Sequence, residues 1–381
     1  MHIEHGLNGS RRIESTHNGA HIVTTGRSSG YVQRAYVTRG GHSYVSRTTI
    51  IDHRAYTGVY RSYSYHGHAY YGYHPAFYYG NAYYGWAYNP WAAPVYYGWG
   101  WGGAPWYGFY GAYFAPYPVY PSAAFWLTDY LISANLQAAY AAQAAASAAA
   151  NGAAANGAAA NGATADQAQD GANNSAPADN SGSVALSPEV KAAIAEEVKA
   201  QLAAERAAAA QPAPSGAQAA ATQASATPAS DEVPPALDPA RRTFVVASDL
   251  AVVGDGQECQ LTSGDVITRI TDTPDDDNKV TVSVSAGKKA DCAAGKQVAV
   301  SVDDLQEMQN HFQEQLDNGM KDLASKQGTG GLPKAPDTST VASDVPPPPP
   351  DTSAEKALQD QQAAADQTEA QVVKEAFSQG S

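Results

Sequence analysis

The chain has 381 residues, of which 44% count as hydrophobic and only 16% are charged, with 34 Gly and 23 Pro. So much of that hydrophobic fraction is Ala, with Gly and Pro abundant beside it, that one large core is excluded, and with it a large single-domain enzyme. The formal net charge of −14 speaks against non-specific binding through the whole chain to nucleic acid, and no nucleic-acid partner is expected.

Residue types are segregated along the chain. All 24 Tyr and all 6 Trp lie at or before Tyr140, and nine of the ten His at or before His74. Residues 1–140 hold eight Arg, no Lys and four acids (Glu4, Glu14, Asp52, Asp129), a net +4, whereas residues 141–381 carry −18. The basic third suits an acidic polysaccharide, a lipid head group or the protein's own acidic remainder. Residues 1–10 are polar and read as disordered. They lack the apolar stretch of a signal peptide, which conflicts with the extracytoplasmic character of the rest and points to a start site further upstream.

From Arg11 to Tyr73, runs rich in Tyr, Val, Thr and Ile recur every 11–13 residues between Gly-containing turns. This predicts an antiparallel meander. Arg34, Arg47 and Arg61, spaced by 13 and 14 residues, are expected at comparable heights on its ladder as solvated outer-face side chains. His66, His68 and His74 have metal-ligand spacing, yet no carboxylate accompanies them, and an aromatic surface is the expectation. No cofactor is called for.

Between Tyr70 and Pro121 periodicity fails. Tyr83–Trp86, Val95–Trp101 and Pro105–Tyr110 alternate rings with Gly and Pro, which disfavour helix and ladder alike. Rings that bury about 150–250 Å² each do not stay singly exposed. They either roof the meander as an irregular core or stack on a ligand, and Tyr84, Trp86, Trp91, Tyr97, Trp99, Trp101 and Trp106 are the candidate ligand-facing rings. Residues 11–121 thus read as one Tyr/Gly/Trp-rich β-unit.

A helix over 122–148, with Trp126, Leu127, Tyr130, Leu131 and Leu136 in its stripe, closes that unit. Asp129, Asn135 and Gln137 interrupt it, so no transmembrane segment is expected. Residues 149–186, with Asn-Gly-Ala repeats at Asn151, Asn156 and Asn161, are a low-complexity linker. Ser187, Pro188 and Glu189 open a helix over 187–210. Its narrow stripe of Val190, Ile194, Val198 and Leu202 needs a partner surface, so segment 187–206 either docks or self-associates. Residues 211–240 form a second linker.

Residues 241–330 are the best-defined unit, with about six short strands followed by a helix over 301–326. Val280, Val282 and Val284 alternate with Thr281, Ser283 and Ser285, as in a strand with one buried face. Cys259 and Cys292 suggest a disulfide and an oxidising compartment, against the alternative of two free thiols. Leu305, Met308, Phe312, Leu316, Met320 and Leu323 give the helix an apolar stripe that covers the β-domain or pairs with a second copy, making a homo-oligomer. The tail 331–381, with Pro346–Pro350, reads as disordered save for a weak helix after Ser353.

Two stretches resemble known families. The meander of small strands around Gly264-Asp265-Val266-Ile267 resembles bacterial SH3-like barrels, and that resemblance implies a cell-wall or peptide ligand. Tyr97-Gly98-Trp99-Gly100-Trp101 resembles the core of uncharacterised bacterial envelope proteins named for Tyr-x-Trp-Gly-x-Trp repeats. Neither resemblance brings a catalytic residue. No nucleophile–His–acid set and no phosphate-cradling loop is present. The expected fold is mostly β with helices and extensive disorder. The expected protein is a non-catalytic, secreted or envelope-associated binder of glycan such as peptidoglycan. The alternatives are a self-assembling matrix protein and a metal-binding or enzymatic unit at His66, His68 and His74.

Overall fold

The computed structural model describes residues 1–5, 11–26, 29–51, 54–160, 185–210 and 231–378. Seven consecutive strands form one antiparallel sheet in sequence order: β1 (His2–His5), β2 (Arg11–His17), β3 (Ala20–Gly26), β4 (Ser29–Arg39), β5 (His42–Ile51), β6 (Arg54–Tyr65) and β7 (His68–His74). Its tight turns are local chemistry. Asn18-Gly19, Gly40-Gly41 and His66-Gly67 each place two successive residues at positive φ, the geometry whose twist matches a hairpin. Residues 2–5, expected as disordered, extend the meander instead, with Ile3 opposite Ile13.

The C-terminal end of the chain covers one face of this sheet. β15 (Thr340–Ala342) pairs with β8 (Phe77–Tyr79), and α6 (Ala354–Ser378) then crosses β2–β5. Ala354 and Leu358 pack on Ala20, Ile22, Val32 and Ile50. Arg11 reaches Asp366 and Glu369 at 2.7 and 2.9 Å, and Arg34 reaches Asp351 at 3.0 Å. The tail expected as disordered is therefore placed as a strap. Its own composition is too polar to make a core, but the sheet supplies the apolar stripe and the opposite charge.

The other face rests on α5 (Val302–Lys326). The helix's apolar stripe is buried, as its period requires, while its polar flank is buried too. Arg47 donates to Glu307 at 2.5 Å and to Gln33 at 3.0 and 3.1 Å, with its guanidinium between the rings of Tyr31 and Tyr60. Asn310 stitches the edge strand β7, donating to the Tyr71 carbonyl and accepting from the Tyr73 amide, both at 2.8 Å. The Tyr60 hydroxyl donates to Glu314, and that of Tyr73 to Asp317 at 2.8 Å. The three arginines do not share a height or a face. Arg34 pairs with Ser46 and Arg47 with Gln33, a one-residue offset that sends them to opposite sides, and Arg47 is only 3% exposed.

The second sheet holds β9 (Thr243–Val245), β10 (Leu250–Gly254), β11 (Gln257–Leu261), β12 (Val266–Arg269), β13 (Lys279–Ala286) and β14 (Gln297–Ser301). It is antiparallel and curled, in the order β11-β10-β14-β13-β12-β9. Val280, Val282 and Val284 face its core, and the Cys259–Cys292 disulfide ties β11 to the loop before β14 with Cα atoms 5.4 Å apart. Buried Arg269 donates to the carbonyls of Leu237, Asp238 and Arg241, pinning the incoming chain.

A helical layer centred on α3 (Ala123–Ala160), with α1 (Asn81–Tyr88), α2 (Pro105–Tyr110) and α4 (Pro188–Ala209) around it, packs on α5, which itself touches both sheets. Trp126, Leu127, Leu131 and Leu136 of α3 are wholly buried. Gly319 lets α5 approach closely, since a Cβ there would lie 2.9 Å from Leu127 and Tyr130. The helix runs to Ala160, past the expected end at 148. Ile194, Val198 and Leu202 of α4 are buried in the same core, so the stripes of α4 and α5 are both consumed within the chain. Most of the two linkers, 161–184 and 211–230, lies outside the described residues.

Candidate functional site

The aromatic segment does not roof the meander. It wraps α3. The extended stretch from Trp91 to Tyr97 is held by residues 120 and 121, through Trp91 N–H to the Pro121 carbonyl at 2.7 Å and a Val95–Tyr120 bridge. The Gly spacing then lets rings stack in series. Trp101, Trp99, Trp126 and Tyr130 lie roughly parallel, with successive centroids 4.4, 4.7 and 5.6 Å apart. Trp106 meets Trp101 edge-on at 5.3 Å. A second string runs Tyr83–Trp86–Trp91 at 5.5 and 5.4 Å.

Of the seven candidate rings, Tyr84 and Trp106 are buried, at 1% and 7% exposure. Both faces of Trp99 are covered by other indoles, and its Nε1 donates to the Tyr120 hydroxyl at 2.6 Å. Trp86, Trp91, Tyr97 and Trp101 are half-buried. The most exposed rings of this segment are Tyr96 (72%), Phe77 (46%) and Tyr88 (40%), none of them among the candidate rings. Alternation would have flagged Tyr96, because its neighbour Tyr97 packs on Trp126 and consecutive extended residues point oppositely.

Tyr88 belongs to a cleft of about 410 Å³ between α1 and the last turns of α4, lined by Asn81, Tyr88, Leu202, Ala203, Arg206 and Ala207. Its size falls in the range of small-ligand sites. α1 and α4 hold their backbones close because Tyr83, Tyr84 and Ala87 are buried in the same core as Leu202. The rim then carries one aromatic face, one amide and one guanidinium. Arg206 is exposed and makes no ion pair with another described residue.

The three candidate metal ligands are not brought together. His66 occupies a left-handed turn position, stacks on Tyr65 at 4.0 Å, and leaves its backbone amide to Asp231. His68 begins β7 and His74 ends it, six residues or about 20 Å away along a strand. His74 lies 3.5 Å from Asp344 and edge-on to Tyr44, and burial depresses its basicity. Among the described residues no group of three or more His, Cys, Asp or Glu is placed to hold a metal ion. Nor is any described helix long and apolar enough to cross a membrane.

A buried ion pair supports the aromatic layer. Asp129 of α3, 0% exposed, lies 2.7 Å from Lys191 of α4 and accepts from the Tyr120 hydroxyl and the Tyr117 amide. Lys191 also donates to the Ala115 carbonyl and sits 3.7 Å over the Tyr117 ring. Loss of hydration raises the Asp129 carboxyl and lowers the Lys191 ammonium from their ordinary values. Both groups are buried, at 0% and 5% exposure, so the pair holds α3 and α4 together. Comparison with protein-family models, with curated proteins and with solved structures finds no match for the chain.

Proposed function

We propose that this is a non-catalytic, extracytoplasmic binding protein that takes acidic glycan at the α1/α4 cleft, with the second sheet as an SH3-like accessory unit. The observation that carries the reading is the exposed Arg206 guanidinium, without an ion-pair partner among the described residues, beside the exposed Tyr88 ring and Asn81 in one cleft. An aromatic face stacks on the apolar face of a sugar, an amide bonds hydroxyls, and a guanidinium forks onto a uronic or muramic carboxylate. The disulfide is consistent with an oxidising compartment. This reading puts Tyr88, which lines the cleft, in place of the seven expected rings, since Trp86 and Trp91 cover each other and Trp99, Trp101 and Trp106 do the same.

The test is retention of the full-length protein on immobilised polygalacturonate against neutral dextran. Retention that is lost in 0.5 M salt, and that falls about tenfold in Tyr88→Ala and in Arg206→Gln, supports the reading. Equal retention on both matrices, or variants that bind as the parent does, would refute it.

A further inference from the structure

α5 buries two chemically different faces, and the polar one is what joins it to the meander. Glu307, Asn310, Glu314 and Asp317 step along the helix by three or four residues, so they share one side, and each meets a group from β5, β6 or β7. Such an interface is built unlike a core. We propose that the meander is docked on α5 through a proton-dependent seam, so that the sheet loosens from the helix as pH rises from mildly acidic to mildly alkaline.

The balance of charge along the seam supports this. Four carboxyl groups converge on the seam: Glu307, Glu314 and Asp317 of α5, and Glu205 of α4, which interacts with Asp317. The cation aimed into it from the sheet is Arg47, and its donors are already taken by Glu307 and Gln33. Lys321 lies one turn beyond Asp317, and Arg241 acts on Glu205 from further off. Arg47 also acts on Glu314 through space, but the hydrogen-bond partners of the remaining carboxyls are neutral: Tyr60 on Glu314, Tyr73 on Asp317, and Tyr84 with Gln201 on Glu205. His311 on the same helix is held neutral by burial, near 4, and supplies no charge.

Carboxyls drawn away from water, hydrogen-bonded to phenols and an amide and only partly offset by the nearby cations, hold their protons. Burial pushes Glu314 up to about 7 and Glu205 up to about 8, and raises Asp317 as well. The sign follows. A raised acid favours the docked state fully below its ordinary value of about 4.5, and that contribution is lost as pH climbs through 7 to 8. For Glu314 alone, return to water on undocking weakens docking on the order of tenfold between pH 5.5 and 8.

Hydrogen exchange of the full-length protein at pH 5.5 and 8, corrected for the intrinsic rate of amide exchange, tests the seam. The expected result is a loss of protection of roughly tenfold or more at pH 8, confined to β5–β7 and the facing turns of α5, with β12–β14 unchanged. Glu314→Gln, which keeps the neutral form at every pH, should shrink that difference several-fold. Protection that is independent of pH, or a loss spread evenly over both sheets, overturns the proposal from the parent protein alone, whatever the variant does.

Discussion

Asp129 shows how much a single residue's meaning depends on its partner. Along the sequence it interrupts an apolar stretch. In the fold it is sealed inside α3 and matched by Lys191, which is 62 positions away and 5% exposed. Nothing local to either residue announces the other, because the contact is made by α3 packing on α4. Removing one member leaves a charge without water or counter-ion, so Lys191→Met is expected to destabilise the protein by about 3–5 kcal/mol. Lys191→Met combined with Asp129→Leu should restore most of that, because two apolar groups then fill the same space. Urea unfolding of the two single variants and the double gives the coupling, and additive losses would mean the pair is not linked. The histidines teach the converse. His66-Gly67 is a hairpin turn, and reading that dipeptide as turn chemistry removes His66 from any cluster.

Elements whose signal is periodic were legible. The meander, α4 with its Ser187 cap, the strands of the second sheet and α5 all follow from period and turn residues, because these are properties of neighbouring positions. The disulfide belongs here too. It closes a separation of 33 residues, for which the chain-entropy estimate is about 3.5 kcal/mol. Reduction should lower the thermal midpoint by several degrees, read by calorimetry with and without a phosphine reductant; an unchanged midpoint would show the loop to be ordered without the bond. The polar flank of α5 was not legible, since an amphipathic helix ordinarily turns such a flank to water. Asn310 in particular does the work of a missing strand at β7. Asn310→Leu leaves a backbone N–H and C=O without partners and should cost about 2 kcal/mol. Faster amide exchange at Tyr73, with the rest of β7 following, is the observation to seek, and an unmoved Tyr73 would discount the stitch.

At the scale of the molecule, the segregation of charge is spent largely inside it. Arg11, Arg12, Arg34, Arg47 and Arg61 of the basic third each meet an acid from beyond residue 230: Asp366 and Glu369, Asp304, Asp351, Glu307 and Glu232. The half-buried members of this set are screened by salt more than Arg47, which is sealed from solvent. We therefore expect 0.5 M salt to raise exchange along α6 several-fold while β12–β14 stay protected, and a strap as protected in high salt as in low would show that Leu358 and its neighbours suffice. By itself the sequence determined the strands and helices that carry a periodic signal, their turns and which cysteines can pair, because these are settled by residues a few positions apart, but not β1, β8, α1 and α2, which carry no such signal. Only the tertiary structure decided that the tail returns as a strap, that the tryptophans cover α3 instead of the meander, and that a row of half-buried to buried carboxyls faces a sheet. Those outcomes rest on which surfaces are left to be covered once the elements exist, and that is a property of their arrangement in space.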